Sequence, residues 1–155
     1  MKKEYLQPFL HATETISSTF FNVAIQKSNI SLESALDLDK EVIIALGIKG
    51  NLSGIVLFGM DQQEALKLSS HVLGLQGMPG YETWDELTQS VLLEFGNQVV
   101  GYVTQLYDKD GFKCDITTPS FIKTEQLKHY TKESVRFELT NEIATIVVKL
   151  HIQKK

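Results

Sequence analysis

The segment from Trp84 to Tyr107 constrains this chain more than any other. Val91, Leu92, Phe95, Val99, Tyr102, Val103 and Leu106, together with Trp84, recur at helical spacing and fill one broad side of a long helix. Taking about 100° per residue and setting Ser90 at zero, Glu94 falls at about 40° and Asn97 at about 340°. Thr83, Glu86, Gly101, Thr104 and Asp108 lie within about 40° of the same line. One narrow polar stripe therefore runs along an otherwise apolar helix. By periodicity alone this is the solvent-facing line that any surface helix has. Gly96 and Gly101 add to it, because glycine inside a helix costs roughly 1 kcal/mol relative to alanine and implies a packing or docking reason. Gly101 lies on the stripe itself, where it removes a side chain and lets another backbone come close.

The rest of the chain supplies what this helix packs against. Phe9, Ile16, Phe20 and Val23 predict an amphipathic helix over 7–24, with Pro8 in its first turn. Residues 29–40 are mixed, a short strand and a turn. Val42 to Ile48 and Ser53 to Met60 read as strands joined through Lys49-Gly50-Asn51 in a hairpin. Asp61 and Glu64 form a capping box opening a helix that ends with Gly74 as its C-cap, and residues 75–82 form a loop. Thr83 and Glu86 form a second capping box ahead of the long helix. Asp108 to Gly111 is a turn, Phe112 to Thr118 a strand ended by Pro119, and a polar stretch follows. Ser134 to Leu139 and Ile143 to Ile152 pair as a hairpin through Thr140-Asn141-Glu142. Helices beside hairpins imply an α+β fold, an antiparallel sheet with helices packed on one face. Helix followed by hairpin occurs twice, a pseudo-repeat with little sequence identity.

A length of 155 residues fits a single domain, 1–155, with 43% hydrophobic and 22% charged residues as in ordinary globular proteins. The lone Cys114 excludes an internal disulfide and fits a reducing, cytoplasmic setting. The two lysines near Met1 precede no apolar run, so no signal peptide is expected. No stretch approaches the ~20 apolar residues that span a bilayer, and membrane insertion is not expected. A net charge of −4 argues against a nucleic-acid partner.

Ser90-x3-Glu94-x2-Asn97, followed at a distance by Pro119, resembles the signature of the CheC/CheX/FliY chemotaxis phosphatases: Ser or Asp, Glu and Asn on one helix, then a proline. Pro8-Phe9 with Ala12-Thr13, the run Gly50 to Leu57, and the Glu64-Ala65-Leu66-Lys67 helix ending at Gly74 are similar to CheX in particular. The resemblance covers most of the chain in order. It implies a phosphatase that acts on the phospho-aspartate of a CheY-like response regulator and completes that partner's active site, without a covalent nucleophile of its own. On this reading Asn97 and Glu94 are the catalytic pair. Asn97 orients a water for in-line attack, a task for which a neutral carboxamide suits better than a carboxylate that the acyl phosphate would repel. Glu94 pairs with a lysine of the regulator and sets the register of docking. Ser90, Gly101, Glu86 and Thr104 contact the substrate protein, and Pro119 shapes the strand end beside the helix. No cofactor is expected in this chain, and the Mg2+ ion belongs to the regulator. Relatives of this type pair as homodimers, so a homodimer is expected. CheC-like relatives often carry a second Glu-x2-Asn in the N-terminal helix. Here Glu14 is followed by Ser17 instead, so one active site per chain is expected.

His11, His71, His129 and His151 show no ligand spacing, so no metal site is expected. Cys114 alternates with Phe112 and Ile116 as a core thiol. Asp108-Lys109-Asp110-Gly111 lacks the later ligands of a calcium loop and is a turn. The alternative to the enzyme is a non-catalytic module of the same fold, docking a response regulator or a flagellar-switch component along the stripe.

Overall fold

Alternating apolar residues build the strands onto which the helices settle. The computed structural model describes residues 1–155. In chain order the elements are α1 (Lys3–Phe21), β1 (Gln26–Lys27), β2 (Ser31–Glu33), β3 (Val42–Gly50), β4 (Leu52–Met60), α2 (Gln62–Leu75), α3 (Glu86–Lys109), β5 (Cys114–Ile116), β6 (Ser120–Ile122), β7 (Ser134–Thr140) and β8 (Thr145–Lys154). A short 3-10 turn, Thr124–Leu127, follows β6. All strands join one antiparallel sheet in the order β1-β7-β8-β4-β3-β5, with β2 also on β7 and β6 also on β3. Val42, Ile44, Leu46 and Ile48 of β3 and Ile146, Val148, Leu150 and Ile152 of β8 point to the face that the three helices cover. The α+β architecture expected from the sequence is the one observed.

The repeat is visible in the topology. Hairpins β3–β4 and β7–β8 meet at the middle of the sheet, where β4 pairs with β8 from Leu52↔Lys154 to Gly59↔Val147. Each half then lends its two short strands to the other: β1 and β2 lie on β7, while β5 and β6 lie on β3. Helices α1 and α3 hold corresponding places in the two halves, and α2 is the insertion between them. The face away from the helices is covered in part by the 34–40 segment. Leu36 and Leu38 pack there with Ile43, Leu57, Leu127 and Val147. Lys149 is buried on that face and bonds the Asp37 carbonyl at 2.5 Å and the Glu33 carboxylate at 2.7 Å.

Several local expectations are corrected. α1 begins at Lys3, which places Pro8 beyond the first turn. The early start is held by Tyr5, which is buried edge-on against Phe112; the Tyr5 carbonyl accepts from Tyr107 Oη at 2.6 Å. Asp61 is the N-cap residue of α2 but makes no capping bond, since Lys40 takes its carboxylate and the Glu41 side chain accepts from Gln62 N–H. Glu64 instead accepts from Thr145 N–H at 3.0 Å. Gly74 lies inside α2, and the chain turns at Gly77, with φ of 90°. The capping box of α3 is Asp85 with Thr88, not Thr83 with Glu86. Trp84 therefore lies ahead of the helix and packs on Phe121. The strand expected over 112–118 shortens to Cys114–Ile116, and β1 and β6 are additions that sequence periodicity did not reveal.

Candidate active site

Packing fixes which side of α3 faces outward. Phe95 is fully buried among Phe20, Phe21 and Phe58. A Cβ on Gly96 would come within 3.2 Å of Leu46 Cδ1, so this glycine lets α3 lie close on β3. At the helix start, the Asp85 carboxylate accepts from Leu87 N–H and Thr88 N–H at 3.1 and 3.2 Å. The Tyr81 hydroxyl also donates to it, and these bonds hold the Asp85 carboxyl below the usual carboxylate range. Thr88 is buried and its hydroxyl donates to the Thr83 carbonyl at 2.7 Å, while Ser69 of α2 bonds the Thr88 carbonyl at 2.8 Å. With one side locked, the stripe has a single orientation.

Ser90, Glu94 and Asn97 line one shallow groove of about 390 Å³, whose opposite wall is Ile116, Thr117, Thr118 and Pro119. Ser90 donates to the Leu87 carbonyl at 2.7 Å, its hydrogen thus turned back onto the helix. Glu94 is exposed and accepts only a long bond, 3.3 Å, from Gln98. Asn97 is half-buried, and its carboxamide makes no hydrogen bond within the chain, so donor and acceptor are both available to a visiting group.

The remaining stripe residues lie outside this groove. Glu86 is exposed in the first turn of α3. Gly101 opens on space, since a Cβ there would meet nothing within 4 Å. Thr104 donates to the Gly101 carbonyl at 2.7 Å and lines a second groove with Asp108, Lys113, Cys114 and Asp115. The wall residues Thr117 and Thr118 were not singled out from the sequence. Their signal is their place immediately before Pro119, which interrupts the edge strand. A larger groove, about 780 Å³, lies elsewhere against α2, where His71 is already bonded to the Phe21 carbonyl at 2.7 Å.

In the other half, Glu14 and Ser17 stand on α1 at the spacing of Glu94 and Asn97. Ser17 is buried with an unpartnered hydroxyl, and Glu14 is held by Lys27 at 3.1 Å. Neither residue lines the groove that holds Ser90, Glu94 and Asn97.

The family model described as "Chemotaxis phosphatase CheX" matches residues 42–142, which include α3, the groove wall and Pro119. The CheY-P phosphatase CheX of Thermotoga maritima is 30% identical over 98 residues, which are 63% of this chain and 61% of that protein. The chain thus matches about three-fifths of that relative's length. CheX in the CheX-CheY-BeF3-Mg2+ complex from Borrelia burgdorferi superimposes with a TM-score of 0.77 at 25% identity, covering 97% of this chain and 98% of that one. A CheC-like superfamily protein from a Shewanella species shares the fold at a TM-score of 0.79 and 18% identity, over 99% of both chains. No helix is long and apolar enough to cross a membrane. A family match spanning most of the sheet and the whole of α3, on a fold shared end to end, makes this chain a member of the CheX chemotaxis phosphatase family.

Proposed function

We propose that this chain hydrolyses the phospho-aspartate of a CheY-like response regulator, with α3 docked on the regulator's active site and Asn97 and Glu94 inserted into it. One observation carries the reading: a carboxylate and an uncommitted carboxamide stand one turn apart on a rigid helix, open to a partner, in a walled groove. The regulator supplies the acyl phosphate, Mg2+ and a lysine. Asn97 holds a water in line with the phosphorus through its amide, and it adds no negative charge beside the phosphoryl oxygens. Glu94 pairs with the regulator's lysine and fixes how far along α3 the partner sits. Ser90 lies at the rim, and Glu86, Gly101 and Thr104 extend the contact along the stripe. Because Ser17 replaces the amide and Lys27 occupies Glu14, each chain has one such site. The protein works in the cytoplasm as a homodimer.

The test is the decay of a response regulator labelled with acetyl phosphate, with this protein added in substoichiometric amounts. Wild-type protein accelerates decay over many turnovers, and Asn97→Ala binds the regulator but leaves the decay near its spontaneous rate. Unchanged decay across the host's regulators, with binding retained, would leave the non-catalytic docking module as the better account.

A further inference from the structure

The wall opposite Asn97 is a strand with one residue too many. Ile48↔Ile116 and Ala45↔Ser120 are the flanking pairs, so Thr117, Thr118 and Pro119 face only Leu46 and Gly47 of β3. Such a bulge bends an edge strand and re-aims its side chains, and Pro119 is tolerated there because it has no N–H to donate. Thr117 ties the bulge down. Its N–H donates to the Gly47 carbonyl at 3.0 Å, and its Oγ1 accepts from Gly47 N–H at 2.8 Å. A Cβ on Gly47 would lie 3.1 Å from Thr117 Cγ2, so the Thr117 methyl rests directly over this glycine.

The same device occurs in the other half. Lys27↔Leu139 and Ser31↔Arg136 bracket Ser28, Asn29 and Ile30, which face Phe137 and Glu138. Ser28 N–H donates to the Glu138 carbonyl at 2.9 Å, and Ser28 Oγ accepts from Glu138 N–H at 2.8 Å. Beside that clamp, Lys27 reaches α1 and closes on Glu14. In both halves a hydroxyl-bearing residue at the first bulge position fixes where the edge strand stands relative to its helix.

We propose that Thr117 is a positioning residue of the docking groove: its two-way clamp on Gly47 holds the Thr117–Pro119 wall at the distance from Glu94 and Asn97 that the regulator requires. The inference rests on the phosphatase reading of that groove. Thr117 does not touch the phosphoryl group, so its loss weakens docking and leaves the chemical step.

The experiment uses the full chain with Thr117→Val, Thr117→Ser and Ser28→Ala. It measures amide hydrogen exchange together with kcat and KM for decay of the phosphorylated regulator. Thr117→Val is expected to speed exchange of the Gly47 amide about fivefold, the loss of one ordinary hydrogen bond, and to raise KM by a similar factor with kcat within about twofold. Thr117→Ser keeps both near wild type. Ser28→Ala speeds exchange at Glu138 and leaves KM alone. Unchanged exchange at Gly47 in Thr117→Val would overturn the clamp. Faster exchange with unchanged KM, or an equal KM rise in Ser28→Ala, would overturn its role in docking while the phosphatase reading stands. Absence of wild-type turnover would instead remove the phosphatase reading and the docking role with it, and the exchange data would still decide the clamp. Should Thr117→Val fail to fold, Gly47→Ala pushes the same wall through the Thr117 methyl. Its KM rise must then be relieved by adding Thr117→Ser, and a rise that persists would also overturn the inference.

Discussion

The two halves of this molecule share a plan and differ in what they leave open. In each, a helix lies beside an edge strand with a one-residue bulge, and a Glu stands one turn before a small polar residue. Around α3 the strand residue ahead of the bulge is Ile116, which cannot reach across as an ion-pair partner, so Glu94 stays exposed above a groove. Around α1 that place belongs to Lys27, which captures Glu14, and Ser17 is buried. Repetition places a Glu and a polar residue at the same spacing on both helices, and in the first half a cation holds the Glu and the second residue is too short to emerge.

The strongest way to break this comparison is to truncate the polar residue in each half. Asn97→Ala is expected to lower regulator dephosphorylation by about 10²-fold or more, the scale for loss of a group that positions the reacting atoms, and Ser17→Ala to leave it unchanged. A comparable loss in both would mean that both helices work. Next in size is a contrast of glycines. Gly96→Leu forces α3 off Leu46 and Ile44 and should cost about 1–3 kcal/mol in denaturant unfolding. Gly101→Ala meets open space and should stabilise by up to about 1 kcal/mol. If Gly101 is a notch for the regulator's backbone, the stabilised variant binds the regulator more weakly, and a rise in Tm with unchanged binding would take Gly101 out of the interface. Glu94→Ala should raise KM about tenfold, in the range of a truncated charge pair at an interface, whereas Glu14→Ala should not alter it. The smallest effect belongs to Lys27→Ala, which breaks a partly exposed ion pair worth at most about 1 kcal/mol. Combined with Ser17→Asn it frees the first-half pair, and a measurable second activity in an Asn97→Ala background would show that α1 can be made to work as α3 does.

The long elements were legible in the sequence because their periodicity spans several turns or pairs. The helices, both hairpins and the outward stripe of Ser90, Glu94 and Asn97 follow from it. Elements of two or three residues such as β1 and β6 carry too few side chains to show a period and exist because β7 and β3 offer them partners. Caps failed for a related reason. Asp61 and Glu64 have the capping spacing, yet Lys40, Glu41 and Thr145, distant in sequence, compete for those groups and prevail. The near side of the site was readable because one helix carries it. The far wall was not, because the hydroxyl of Thr117 acquires its meaning only from a bulge set against Gly47.

The exchange of short strands has a consequence for how the chain is made. Pairs such as Gln26↔Thr140 and Ile43↔Ile122 join residues far apart in sequence, so the sheet closes late and slowly during folding. A nascent chain that has emerged only through α2 holds a β3–β4 hairpin with both outer edges bare and its apolar face uncovered by α3. Such an intermediate offers open edges to any neighbour, which makes synthesis of the second half, rather than the finished fold, the step most exposed to aggregation and most in need of a chaperone.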